Sequence, residues 1–140
     1  MDQIDHARRR LESAAGISEL LDAGWDAFGV LAEGCQRGQD GTHELFAAYG
    51  FAVTAATQGR IAIATAPSLP DGPPSAADQP EWSVADDPDR AARALAGLAG
   101  LLRQRLAAAA RQAGDSADGQ ACADAARYAA TVHELLAAGP

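Results

Sequence analysis

Apolar side chains recur three and four residues apart over most of this chain, and glycine- and proline-rich points interrupt the pattern. That spacing is the seam of an α-helix. The first block covers residues 2–37. Ile4, Ala7, Leu11 and Ala14 make one run, and Leu21, Trp25, Phe28, Ala32 and Cys35 make another. Gly16-Ile17-Ser18 separates them. A short helix, a break near Gly16 and a longer helix to about Gln36 are expected, with Ser18 as N-cap. One kinked helix is the rival reading. "GQDG" at 38–41 reads as the closing turn.

A second long helix is predicted from Thr42 to about Thr65, capped by the Thr42 hydroxyl, with Glu44 at the positive end of its dipole. Pro67 stops it. The stretch "VTAATQGRIAIAT" also reads as a hairpin turning at Gln58-Gly59, but its alanine content favours helix. From Leu45 to Ala66 the single charged residue is Arg60. A membrane span there would bury Arg60 and Gln58 near mid-bilayer, so a helix sequestered among others is expected instead.

Residues 67–87 carry most of the prolines and form a linker. Trp82 and Val84 are its apolar anchors. Asp87-Pro88 then opens a third long helix whose stripe is Leu95, Leu98, Leu102, Leu106 and Ala109, ending near Gly114. A fourth opens at Asp115-Ser116, with Cys122, Ala125, Ala129, Val132 and Leu136 as its seam. Small seam residues on the second and fourth long helices (Ala52, Ala56 and Gly59 on the second) should face large ones on the first and third. The expected fold is all-α: one domain over residues 1–140. It is an antiparallel four-helix bundle with an extra short N-terminal helix and a long Pro-rich linker between the second and third long helices. Up-and-down order would place the second and fourth long helices diagonally and parallel.

Composition narrows the functional classes. About a quarter of the chain is Ala, and every cationic side chain other than His is Arg; a GC-rich bacterial genome would explain both, so neither need be functional. A net charge of −8 repels phosphate backbones, so no nucleic-acid partner is expected. Arg8-Arg9-Arg10, flanked by Asp5 and Glu12, reads as a solvated face. "MDQIDHARRRLES" contains no apolar leader core, and no membrane span is expected, so the expected compartment is cytoplasmic. There Cys35 and Cys122 stay reduced, and no CxxC pairs them.

Three constellations bear on function. "HELFAA" (43–48) and "HELLAA" (133–138) each set His beside Glu. Neither completes H-E-x-x-H, and neither His has a Glu three residues before it, so no metal site or cofactor is expected. Glu19, Asp22, Asp26 and Glu33 recur along one helix side, as a solvated face or as a hold for a cation. Arg60, with Gln58 and Thr57, sits on the least polar helix and must be paired if buried. No catalytic set is present: no serine lies in a G-x-S-x-G elbow, and Cys122 falls on a core seam.

The leading expectation is therefore a non-enzymatic helical protein acting by association, as a homodimer or with a protein partner, and Trp82 is the partner-binding candidate. The alternative is a protein that binds a small apolar ligand between helices, lined by Trp25, Phe28, Tyr49, Gln58 and Arg60. An enzyme is the third reading.

Overall fold

The computed structural model describes residues 2–41, 44–70 and 88–137, and of Asp2 and Pro88 the backbone alone. It is all-α. The helices are α1 (Asp2–Ser13), α2 (Ile17–Gly41), α3 (Phe46–Ala64), α4 (Pro88–Ala113) and α5 (Ala117–Ala137). Trp82, Val84 and Asp87 lie outside the described residues, as do Thr42 and His43.

Helix ends follow local chemistry. The break at Gly16 is present, but Ser18 falls inside the first turn of α2. Glu19 reaches back instead and accepts from the Ala15 amide at 3.0 Å. α2 does not stop at Gly38. It continues through Gly41, and Gly38 serves a close approach rather than a stop: a Cβ there would lie 2.5 Å from the Tyr49 ring. The second long helix starts at Phe46 rather than Thr42. Glu44 therefore sits in the preceding turn, and the N-cap is Leu45, whose side chain can make no capping hydrogen bond. α4 ends where Gly114 takes a φ of 62°, the left-handed stop that glycine tolerates. Ser116 caps α5, its Oγ accepting from the Gly119 amide at 3.0 Å.

Four contacts between long helices set the arrangement. α3 runs back along α2, with Gly59 against Phe28 and Gly38 against Tyr49. α5 runs back along α4; His133 Nδ1 donates to the Ala96 carbonyl at 2.9 Å, and the imidazole packs over Gly100. α2 and α4 are also antiparallel, since Gly24 faces Leu102 and Leu106 while Arg105 Nη2 reaches the Ala14 carbonyl at 2.7 Å. The fourth contact corrects an expectation: α3 and α5 lie side by side and antiparallel, not diagonal. Ser68, just past α3, holds Asp118 at the start of α5 through its amide (3.0 Å) and its hydroxyl (2.5 Å). α1 covers the α2–α4 groove with Ile4, Ala7 and Leu11 buried.

The core follows from these pairings. The α4 stripe and the α5 seam are buried as their spacing requires. On α2, Leu21, Phe28 and Cys35 are buried, whereas Trp25 and Ala32 are half-buried. Leu20, Ala27 and Leu31 are buried as well, because α2 touches α1, α3 and α4 together. Burial pushes the Cys35 thiol up to about 12, and burial, then the Asp118 charge, pushes Cys122 up to about 11. Both thiols should therefore ignore an aromatic disulfide reagent at pH 8 until the chain unfolds. Two thiols released in step with loss of helical circular dichroism is the expected trace; a thiol titrating in the native protein contradicts it.

Candidate functional site

The residues singled out around Arg60 divide into three groups. Phe28 is fully buried, its ring filling the notch at Gly59. Tyr49 is equally buried but lies further along the helix pair, over Gly38. Burial, and after it the charges of Cys35 and Asp89, holds the Tyr49 phenol above its usual value. Gln58 points outward, into a groove between α3 and α5.

Arg60 turns toward α2. Its guanidinium carbon stands 4.4 Å over the Trp25 ring, and its Nε donates to the Trp25 carbonyl at 3.2 Å. Gly29 opens the space, since a Cβ there would sit 2.4 Å from Arg60 Nη2. Partial burial lowers the guanidinium from its usual value. A half-buried cation thus gains a ring face and a carbonyl, and its contact is with the neighbouring helix. In a Trp82→Phe background, Arg60→Met should red-shift Trp25 emission and remove about 1 kcal/mol of stability. Gly29→Ala should reproduce the spectral shift with little loss, because only the flexible guanidinium has to move. Unchanged emission in both variants contradicts the stacked arrangement.

The acidic side of α2 is engaged locally. Asp22 Oδ2 accepts from Arg10 at 2.7 Å, and Asp26 Oδ2 pairs with the other Arg10 terminus. Glu33 pairs with Arg37 at 3.1 Å. Asp26 is 6% exposed, and its Oδ1 is buried without a hydrogen-bond partner. Among the described residues no group of three or more His, Cys, Asp or Glu could hold a metal ion. No described helix is long and apolar enough to cross a membrane.

One surface lay outside the sequence reading. α3 was expected to be sequestered, yet only its inner side is. Tyr49, Ala52, Ala56, Gly59 and Ile63 are buried, while Phe51 is 67% exposed and Phe46 and Ile61 are each 54% exposed. These are the large apolar side chains most open to solvent among the described residues. α3 is about equally apolar on all sides, so its sequence does not mark which side faces out. Beside Ile61 the groove between α3 and α5 encloses about 500 Å³, walled by Gln58, Ala62, Tyr128 and Thr131 among others. A separate cleft of about 440 Å³ opens where α1 meets α2, lined by Gly16, Ile17, Leu20, Arg105 and Ala109 among others. The Arg105 Nε–H beside it is buried without a partner.

No protein family matches the chain, and searches of curated proteins and of solved structures find no match.

Proposed function

We infer that this protein is non-enzymatic and acts by association, with the outward side of α3 as its contact surface. In this reading the four long helices are one antiparallel bundle, residues 67–87 are its Pro-rich linker, and Trp82 offers a second contact. The carrying observation is the exposure of Phe46, Phe51 and Ile61 on a single helix. Large apolar groups gathered on one helix side are stabilised by a partner that removes them from water. A photo-cross-linking phenylalanine analogue at position 51, in the full chain inside the producing cell, tests this. Covalent adducts to another chain that disappear with Ile61→Asp are expected. Irradiation that leaves only unmodified monomer overturns the reading.

The second reading is a small-molecule site, favoured by the cleft at Arg105. An unpartnered N–H beside small apolar side chains suits a compact acid. Benzoate in millimolar excess should then raise the melting temperature of the wild type but not of Arg105→Met. An identical response in the two proteins removes that reading.

A further inference from the structure

Six exposed positions on α3 and its C-cap form one seam, with Phe46, Thr57 and Ala64 exposed along its flank. Ala47, Phe51, Thr54, Gln58, Ile61 and Thr65 are all exposed and follow one another at intervals of four, three, four, three and four. Such spacing keeps them in one line when two helices cross at about +20°. The seam also reads alike in both directions about Ala56. Reversed, Phe51 falls on Ile61, Thr54 on Gln58 and Ala47 on Thr65.

We propose that the partner of this face is a second copy of the chain, its α3 docked antiparallel across a two-fold axis at the level of Ala56. The proposal rests on the association reading above and names the occupant. Across the axis each Phe51 ring meets Ile61 of the other copy, at the mouth of the groove walled by Gln58, Ala62, Tyr128, Thr131 and the Asp124–Arg127 ion pair. Each Thr54 hydroxyl meets the other copy's Gln58 amide, a polar pair that penalises a slipped register. A closed two-fold contact uses one patch twice, so a stripe that matches its own reverse is the pattern it requires.

Charge selects the same occupant. The chain carries −8 overall, so two copies repel over most of their surfaces. The seam holds no ionised side chain, and Arg60, the one charged residue of α3, is turned toward Trp25. Two acidic molecules can meet here without opposing like charges. Asp124 in the wall of the adjoining groove is already paired with Arg127, so a basic partner finds no free carboxylate there. At about 28 Å of helix the contact is narrow, so the dimer should be half-formed at roughly 10–100 µM.

Cross-linking between two single-cysteine variants of the full chain tests the register. Ala47→Cys and Thr65→Cys, differently tagged and mixed under mild oxidation, should join to each other. Ala47→Cys alone should not, since its copies would stand about 27 Å apart along the axis. Cys35 and Cys122 are buried and should stay silent. Phe51→Asp with Ile61→Asp should lower the yield at least tenfold while leaving the helical signal intact. Dimers linked 47 to 47, a yield indifferent to the double Asp variant, or no covalent dimer at all overturns the proposal. If position 51 still cross-links to a chain of another sequence, association stands and self-pairing alone falls; with no adduct there either, both fall.

Discussion

Replacing Gly59 by Val is expected to destabilise the protein by about 3 kcal/mol, the upper part of the range for overfilling a packed core. A Cβ at Gly59 would lie 2.3 Å from Phe28 Cε1, 2.4 Å from Cζ and 2.8 Å from Cδ1. The Phe28 ring is fully buried, so it has no free volume to retreat into. Glycine inside a helix ordinarily costs up to about 1 kcal/mol relative to alanine, so propensity alone predicts a gain on substitution. The clash should outweigh it. Chemical denaturation of Gly59→Val, Phe28→Leu and the pair measures this, and the two changes should be strongly non-additive because the smaller side chain makes room. Gly41→Ala is the matched control, since nothing lies within 4 Å of a Cβ there. A Gly59 variant as stable as the wild type would mean that α2 and α3 are not in contact at this point.

Arg10→Met should cost about as much, roughly 3 kcal/mol, by a different route. It leaves Asp26 buried with neither oxygen paired, and breaking one side of a buried pair typically costs 3–5 kcal/mol. Partial exposure of Arg10 places the expectation at the low end. The loss should depend on pH. Burial without a cation makes an unpaired carboxyl hold its proton more tightly in the folded chain than in the unfolded one. The folded variant therefore gains relative stability as pH falls, and the deficit is greatest at neutral pH and smallest near pH 4. Adding Asp26→Asn to Arg10→Met should recover part of the loss at pH 7 and little at pH 4. Melting curves of the three variants at both values check it; a deficit constant with pH, or no recovery with Asn, removes the buried-charge explanation.

Legibility varied with how much a residue's neighbours determine locally. Helix identity was readable throughout, because alanine density and three-four spacing act within one segment. The stops at Gly16 and Gly114 and the cap at Ser116 are local too. The α4 stripe was legible because leucines mark it against arginines on the other side. α3 has no such contrast: with apolar or small residues on every side, its sequence announces a helix but not an orientation. Hence Ala52, Ala56 and Gly59 were recognisable as a small-residue seam, while Phe51 and Ile61 were not recognisable as outward. Gly38 misled because a glycine that ends a helix and one that admits a tyrosine ring look identical in sequence. Arg60 needed some partner, but the Trp25 ring lies 35 residues away, and no local rule selects it. The adjacency of α3 and α5 is a property of the whole packing.

That adjacency has a consequence for the stretch joining the two helical pairs. α3 finishes at the end of the molecule where α2 starts, and α4 starts at the opposite end, where Asp89 comes close to Tyr49. Those two ends lie apart by about the length of α4, roughly 39 Å, which about a dozen fully extended residues would span. Ser68 is tied to Asp118 at the α3 end, so the 17 residues 71–87 do the spanning, with a reach of at most about 60 Å. Trimmed to about half a dozen residues, the stretch would fall short, and the α4–α5 hairpin could no longer fold back on its own α2–α3. It would have to be donated to a neighbouring molecule, giving an intertwined exchange dimer whose existence is decided by tether length alone.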